Sequence, residues 1–237
     1  AAFKALEVEK DPILLVLSSD HKIENSSKFV ETIEIAFKYV QKNKLLTFGV
    51  VPTSPNTGYG YIKSETPFDP KDLRANKIVK FIEKPDLVRA TSFYKDKRYT
   101  WNSGIFLFRA KTLLEEIKKF NPDIYYFCEE SIRKSKNDLY FDRLGSESFG
   151  KCQNIALDIA VMEKTKNGLV IPLDVGWNDI GSWNAVWETS KKDNMGNFIQ
   201  GNVIKKKLQN CYVRSENRLV VGIGLDDLMI IETSDAI

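Results

Sequence analysis

Histidine and cysteine are scarce in this chain. Its 237 residues include one histidine, His21, and three cysteines, Cys128, Cys152 and Cys211. The cysteines lack the close spacing that is typical of zinc sites and redox motifs, so we expect buried, reduced thiols. A single histidine excludes a histidine-rich metal site and argues against a Ser-His-Asp triad.

Long apolar runs and dense clusters of one charge are also missing. No apolar segment approaches the ~20 residues that a membrane-spanning helix needs, and no signal-peptide pattern is recognised. The formal net charge is +3, and the longest basic run, Lys205-Lys206-Lys207, is typical of a solvated strand or turn. We therefore expect a cytoplasmic protein that binds neither nucleic acid nor a membrane.

The sequence is instead rich in alternating strand-like and helix-like segments. Hydrophobic residues make up 43% of the chain and charged residues 28%, which is ordinary for a globular protein. The alternation predicts an α/β domain over residues 1–195, with a mixed, mostly parallel sheet and helices on both faces. Beyond residue 195 short strands alternate with turns, which predicts a small C-terminal β unit over residues 196–237.

Two aspartates follow strand-like segments. Asp20 comes soon after the apolar run of residues 13–17, which predicts a parallel strand covered on both faces. Asp179 follows the strand-like residues 169–173 and stands near glycines and tryptophans. Ligands of open α/β sheets bind at the carboxyl ends of strands, and Mg²⁺ is usually held by one or two carboxylates. The pair is a candidate magnesium site, although each aspartate alone is also typical of a turn or a helix cap.

Glu83-Lys84-Pro85 closes another predicted strand with an acid beside a base. Neighbouring side chains on a strand point to opposite faces, so one could bind a sugar hydroxyl and the other a phosphate. An exposed ion-pairing surface is the alternative interpretation.

Two glycine-containing segments offer backbone N–H groups without an obstructing side chain. An asparagine amide in one of them can both donate and accept, as sugar hydroxyls require. Simple turn formation is the alternative for each. The segments are Gly58-Tyr59-Gly60 and Asn102-Ser103-Gly104.

Six segments occur in the order found in one enzyme family. Together with residues 210–236 they closely resemble bacterial mannose-1-phosphate guanylyltransferases, also called GDP-mannose pyrophosphorylases. The segments are Ser19-Asp20-His21, residues 52–62, residues 81–86, Trp101-Asn102-Ser103-Gly104-Ile105-Phe106, residues 158–164 and residues 176–183.

The resemblance implies a fold, an activity and a set of site residues. The fold is a Rossmann-like nucleotidyltransferase domain followed by a left-handed β-helix-like piece. The activity joins mannose 1-phosphate to GTP and gives GDP-mannose and pyrophosphate. By motif, Asp20 and Asp179 would hold Mg²⁺, and Lys84 would contact the sugar phosphate. The mannosyl ring would be bound by Gly60, Glu83 and Asn102, with the Gly104 backbone lining the same pocket.

The sequence departs from the family at its start. The family's first strand carries a glycine-rich loop with an arginine and a following Pro-Lys pair, and no segment here matches it. We therefore expect the first βα unit and the main triphosphate-binding loop to be missing from this chain, and the isolated chain to be inactive. Family members use the C-terminal β unit in dimer contacts, which implies a homodimer, and some carry a fused isomerase domain.

Two other interpretations stay open. One is a sister pyrophosphorylase that uses another sugar 1-phosphate or another nucleoside triphosphate. The other is a non-catalytic module that binds a sugar phosphate.

Overall fold

The computed structural model describes residues 1–69 and 72–237. The chain packs into two compact units. The first comprises residues 1–19 and 23–177, and the second comprises residues 20–22 and 178–237. The domain boundary predicted after residue 195 stays a prediction.

Seven α-helices and one π-helix occur in the described residues. The α-helices are α1 (Ala2–Val8), α2 (Ser26–Val40), α3 (Leu87–Lys95), α4 (Ala110–Phe120), α5 (Pro122–Arg133), α6 (Ser146–Gly150) and α7 (Trp183–Thr189), and the π-helix is Asp158–Met162. None of these helices is both long and apolar enough to cross a membrane.

Fifteen strands occur in the same described part of the chain. They are β1 (Ile13–Val16), β2 (Lys22–Ile23), β3 (Leu45–Val50), β4 (Tyr61–Ser64), β5 (Asn76–Ile82), β6 (Tyr99–Arg109), β7 (Lys136–Asp138), β8 (Phe141–Arg143), β9 (Gly168–Leu173), β10 (Trp177–Asn178), β11 (Phe198–Gln200), β12 (Val203–Lys206), β13 (Tyr212–Ser215), β14 (Val220–Ile223) and β15 (Met229–Glu232).

The first unit is built around a six-stranded mixed sheet. Its strand order is β1-β6-β3-β9-β5-β4, and β4 also pairs with β6. Only the β3–β9 pair is parallel among the described pairings of this sheet; the other five are antiparallel. The prediction of a mostly parallel sheet is therefore wrong. Apolar runs reveal burial but not strand direction, and the long strand β6 runs against each of its three neighbours.

Strand β1 does not have the environment that its sequence predicted. It lies at one end of the strand order and pairs antiparallel with β6, with Ile13 opposite Arg109. Leu15 and Val16 are exposed, although the run predicted a parallel strand buried on both faces. Asp20 consequently follows an edge strand.

Helices cover both faces of the sheet, as predicted. The apolar side chains of β3 alternate between two clusters: Phe48 and Val50 pack with α2, whereas Leu45 packs with α4 and the π-helix. This alternation follows from the two-residue period of a strand. Because β3 is buried on both faces along its whole length, it forms the centre of the unit.

Helix starts follow ordinary capping chemistry. The side chain of Asn25 accepts a hydrogen bond from the backbone N–H of Lys28 at 2.9 Å and caps α2. Asp86 caps α3 through the N–H of Arg89 at 2.8 Å, which fixes the chain immediately after Glu83-Lys84-Pro85.

The second unit contains two parallel ladders. Strands β11, β13 and β15 pair in one ladder, and β12 pairs with β14 in the other, so every strand pairs with the strand two positions along the chain. Leu208, Cys211 and Val213 form its small apolar core. These short parallel strands lie within residues 196–237, for which the sequence predicted a small β unit.

Candidate functional site

The strand register of the first unit brings three predicted site residues together. Tyr61 on β4 is opposite both Ile82 on β5 and Trp101 on β6. In antiparallel pairs the residue before Tyr61 is therefore next to the residues that follow Ile82 and Trp101. These residues are Gly60, Glu83 and Asn102.

Gly60 allows this close approach because it has no side chain. A Cβ atom at Gly60 would lie 2.7 Å from Oε2 of Glu83 and 3.5 Å from Cβ of Asn102. The backbone N–H of Asn102 donates to the carbonyl oxygen of Gly60 at 2.8 Å. The carboxylate of Glu83 thus lies directly above the Gly60 backbone.

An irregularity in β6 follows Asn102. The two-residue step from Thr47 to Gly49 on β3 corresponds to four residues on β6, from Phe106 to Asn102. Gly104 lies in this bulge with a φ of +66°, a left-handed conformation that favours glycine. Bulges of this kind redirect side chains next to binding sites. Simple turn formation was the alternative interpretation of Asn102, Ser103 and Gly104, but the structure places all three within β6.

The side-chain amide of Asn102 is oriented from both ends. Its Oδ1 accepts the N–H of Gly104 at 3.2 Å, and its Nδ2 donates to Oδ1 of Asp158 at 3.0 Å. A primary amide has two N–H donors and two acceptor positions. Among the described residues, one N–H and one acceptor position of Asn102 are left for a ligand hydroxyl.

Asp158, which contacts Asn102, is a further candidate site residue that the sequence reasoning did not select. It is the first residue of the π-helix, and only the surrounding segment 158–164 had been noted. Burial raises the pKa of the Asp158 carboxyl above its ordinary value, and the charge of Glu83 raises it further, while the hydrogen bond from Asn102 acts in the opposite direction. The sequence feature that could have identified Asp158 is its acidic side chain at the start of segment 158–164.

Aromatic rings support the chain next to Gly60. The ring of Tyr59 lies edge-on to Trp101 and Trp177, with centroid distances of 4.9 and 5.4 Å. Both tryptophans are buried. Tyr61 donates its hydroxyl to the carbonyl oxygen of Asn56 at 2.8 Å and closes the loop before β4. Gly60 is therefore fixed between two anchored tyrosines.

Lys84 follows Glu83 with an unusual backbone conformation. Its φ is +39°, and its side chain is exposed. The next residue is Pro85, which disfavours the right-handed helical region for Lys84. The prediction that the Glu83 and Lys84 side chains point to opposite faces assumed a regular strand. Strand β5 ends at Ile82, before both residues.

The second unit contains Asp20 and Asp179. Asp20 is exposed, and Asp179 is half-buried in a turn. Oδ1 of Asp179 accepts the N–H of Gly181 at 3.1 Å, and Asn178 makes the equivalent bond to Ile180 at 2.7 Å. A Cβ at Gly181 would lie 2.9 Å from Oδ2 of Asp179, so a larger residue there would have to displace this carboxylate.

Three or more metal-binding side chains do not cluster anywhere in residues 1–69 and 72–237. Asp20 and Asp179 nevertheless belong to one compact unit and supply carboxylate oxygens. Such a donor set fits Mg²⁺, which commonly takes one or two protein carboxylates and completes its shell with water and substrate phosphates. The two aspartates stay a predicted magnesium site.

The candidate site residues of the first unit suit a polyhydroxylated anion. Glu83 and Asn102 offer hydrogen-bond partners for hydroxyl groups, and Lys84 supplies a positive charge nearby in the sequence. A family model described as "Nucleotidyl transferase" matches residues 1–196. The chain belongs to this family.

Curated relatives match the chain over its whole length. The mannose-1-phosphate guanylyltransferase of Salmonella montevideo is 43% identical over 240 residues, which cover 100% of this chain and 50% of the relative. The resemblance noted in the sequence is confirmed. The chain spans about half the length of the curated relatives that it matches.

Solved structures also resemble the chain, and two of them illustrate the likeness. A structure from Thermus thermophilus, titled a mannose-1-phosphate geranyltransferase, superposes with a TM-score of 0.83 at 24% identity and covers 99% of this chain and 66% of its own. At that identity the likeness shows the fold alone. A Helicobacter pylori structure titled mannose-6-phosphate isomerase has a TM-score of 0.64 at 34% identity, covering 75% of this chain and 68% of its own.

Proposed function

We propose that the protein containing this chain transfers a guanylyl group from GTP to mannose 1-phosphate, giving GDP-mannose and pyrophosphate. Similarity to the Salmonella montevideo relative over the whole chain supports the choice of substrates. The main structural support for a sugar-binding site is that Gly60, Glu83 and Asn102 lie next to one another across three paired strands. An acid and an amide beside an unobstructed backbone suit the hydroxyls of a hexose.

The roles of the site residues follow from their chemistry. Glu83 would accept hydrogen bonds from mannosyl hydroxyls, and Asn102 would donate one and accept one. Gly60 and Gly104 would leave room for the ring. Lys84 would bind the phosphate of mannose 1-phosphate as a point charge.

The reaction is an in-line displacement. An oxygen of the mannose 1-phosphate forms a bond to the α-phosphorus of GTP, and the bond from that phosphorus to the bridging oxygen of pyrophosphate breaks. The attacking phosphate is already ionised near neutral pH, so the reaction requires no general base. Positioning and neutralisation of repelling charges supply most of the acceleration.

We assign Asp20 and Asp179 as the residues that would hold Mg²⁺. When bound, the ion would neutralise the charge of the phosphates. The side chains of the protein would hold the sugar and its phosphate in position. Support for the assignment is the carboxylate pair within one unit and the close approach of Gly181 to Asp179.

Substrate choice is tested with the full-length protein. We expect pyrophosphate release and GDP-mannose formation with GTP and mannose 1-phosphate, with weaker turnover of ATP, UTP and dTTP. Equal or better use of UTP or dTTP would support a sister pyrophosphorylase. Absence of product with every nucleotide, together with binding of mannose 1-phosphate, would support a non-catalytic module.

The finer architecture of the second unit belongs to this proposal. We infer a left-handed β-helix-like stack, supported by its parallel ladders and by the positive φ angles of Lys207, Asn210 and Asp227 in the turns. We also propose a homodimer that uses the β12–β14 ladder, where Ile204 and Val221 are paired opposite each other and 56% and 53% exposed.

Analytical ultracentrifugation tests the dimer. Val221→Glu should shift the full-length protein from dimer to monomer, because it introduces a charge into an apolar contact. Asn202→Glu, which changes an exposed polar residue just before β12, is the control and should leave the dimer intact. Wild-type protein that sediments as a monomer would overturn the proposal.

A further inference from the structure

Asp158 and Asn102 form a hydrogen bond between two separate elements of the first unit. Asn102 lies on β6, and Asp158 begins the π-helix 56 residues later in the chain. The distance from Nδ2 of Asn102 to Oδ1 of Asp158 is 3.0 Å. No carboxylate other than Asp158 accepts from this amide in the described part of the chain.

The orientation of Asn102 decides what the amide can recognise. Rotation of an asparagine amide by 180° exchanges its donor and its acceptor. In the observed orientation Oδ1 faces the N–H of Gly104 and Nδ2 faces the carboxylate of Asp158. The reversed orientation would set N–H against N–H at Gly104 and oxygen against oxygen at Asp158.

The position of Asp158 is itself fixed. The following residues Ala160, Val161 and Met162 are buried in the core cluster that includes α4. The carbonyl oxygen of Ala160 also accepts the side-chain N–H of Asn121 at 2.7 Å. The backbone N–H of Glu163 donates to the carbonyl oxygen of Asp158 at 2.8 Å, the five-residue spacing of a π-helix. The wide turn therefore presents Asp158 from a rigid support.

We propose that Asp158 is a positioning residue that fixes the donor and acceptor order of the Asn102 amide toward the sugar. This inference rests on the proposed function, in which Asn102 binds the mannosyl ring. Asp158 acts through Asn102: it holds one N–H and leaves the other N–H and one acceptor position of the amide in a defined arrangement. Gly104 supplies the second constraint.

The test compares Asp158→Leu with Asp158→Asn in the full-length protein. Leucine has a similar volume and no acceptor, so the KM for mannose 1-phosphate should rise about tenfold, or about 1.4 kcal/mol, while the KM for GTP stays level. Asparagine can turn its own amide oxygen toward Asn102 and keep the bond. Its KM for mannose 1-phosphate should therefore stay within about threefold of wild type.

A double-mutant cycle separates positioning from an independent role. In the Asn102→Ala background, Asp158→Leu should cause little further increase of the KM for mannose 1-phosphate, since the amide that it orients is gone. Additive effects would overturn the proposal and assign Asp158 a direct or a purely structural role. Equal damage from the asparagine and leucine variants would also overturn it, because the charge rather than the acceptor would then matter.

Two results distinguish this inference from the proposed function. An Asn102→Ala variant with unchanged KM for mannose 1-phosphate would remove Asn102 from the sugar site and thereby contradict the assignment of that site. Loss of sugar affinity in Asn102→Ala combined with none in Asp158→Leu would contradict the positioning role alone. If the leucine variant does not fold, Asp158→Ala and Asp158→Asn carry the same comparison, with thermal unfolding as the check of folding.

Discussion

The carboxylate of Glu83 occupies the space in which Gly60 would carry a side chain. The nearest approach of a Gly60 Cβ would be 2.7 Å, to Oε2 of Glu83. This distance is shorter than ordinary contact, so the two positions are coupled: any larger residue at Gly60 must displace the acid. The displaced group is the end of an exposed side chain, which can move without unfolding the sheet.

Gly60→Ala should therefore weaken sugar binding more than it weakens the fold. We expect the KM for mannose 1-phosphate to rise about tenfold or more, because a moved carboxylate loses charge-assisted hydrogen bonds to hydroxyls. The thermal midpoint should change little. Gly150→Ala is the matched control, since a Cβ at Gly150 meets no atom within 4 Å. Equal kinetics for wild type and Gly60→Ala would separate Glu83 from the sugar.

Asp179→Asn should lower kcat and leave the fold intact. Asparagine can still accept the N–H of Gly181, which preserves the turn, but it removes the charge expected to hold Mg²⁺. Loss of one electrostatic contact of this kind typically costs ~10²–10³-fold in rate. Steady-state rates at saturating Mg²⁺ and far-ultraviolet circular dichroism measure the two effects. Asp226→Asn, which changes an exposed aspartate of the same unit, is the control. A near-normal kcat for Asp179→Asn would exclude the metal role.

Glu232 should make the second unit sensitive to acid. Its Oε2 accepts the backbone N–H groups of Glu216, Asn217 and Arg218 at 3.0, 2.8 and 3.0 Å. Hydrogen bonds from the N–H groups of Arg218, Asn217 and Glu216 and the charge of Arg218 lower the pKa of Glu232 in the folded protein, despite an opposing effect of burial.

The lowered pKa of Glu232 determines how the stability of the second unit changes with pH. A lowered folded pKa means that the ionised form stabilises the fold above the unfolded value of about 4.3, and that this stability is lost as the pH falls through the folded pKa. Hydrogen exchange at the three amides should accelerate below that range. Glu232→Gln should exchange fast at neutral pH already, whereas Glu216→Gln, a surface acid paired with Arg214, should not. Protection that is independent of pH would contradict the role of Glu232.

Cys128 should react slowly with alkylating reagents. Its sulfur lies 3.7 Å from that of Cys152, although 24 residues separate them in the sequence. Burial and the adjacent Cys152 thiol raise the pKa of Cys128 to about 11. Only the thiolate reacts, so at pH 8 about one molecule in a thousand is reactive at this position.

Iodoacetamide labelling followed by mass spectrometry measures this reactivity. The rate at Cys128 should rise about tenfold per pH unit up to pH 10. In Cys152→Ser the neighbouring thiol is gone, and labelling of Cys128 at a given pH should be faster. A rate that levels off below pH 9 would show that the thiol is not held protonated.

The order of elements could be predicted from the sequence because burial periodicity is local. The strand Gly168–Leu173, for example, agrees with the strand-like residues 169–173 to within one residue. Strand direction could not be predicted, since the antiparallel pairing of β1 with β6 depends on contacts between residues almost one hundred positions apart. The exposed hairpin of β7 and β8 was missed for another reason: its short strands have no apolar alternation.

The candidate site, too, could be predicted from the sequence only in part. Gly60, Glu83 and Asn102 were selected from residue chemistry and resemblance, and the register of three strands brings them together. The contribution of Asp158 depends on a tertiary contact with β6, which the spacing of residues in the sequence does not reveal. The bulge at Gly104 was likewise hidden, because the register shift arises only when β6 pairs with β3.

The strand register at Tyr61 has a thermodynamic consequence. Gly60, Glu83 and Asn102 become neighbours only when β4, β5 and β6 are paired in one alignment, and a slip of one residue would turn Glu83 toward the opposite face. A ligand of this site therefore binds the correctly aligned sheet and no slipped form. At a concentration of one hundred times its dissociation constant, such a ligand stabilises the aligned state by about 2.7 kcal/mol. A sugar phosphate that binds this site should therefore stabilise the aligned sheet against both slipped and unfolded forms.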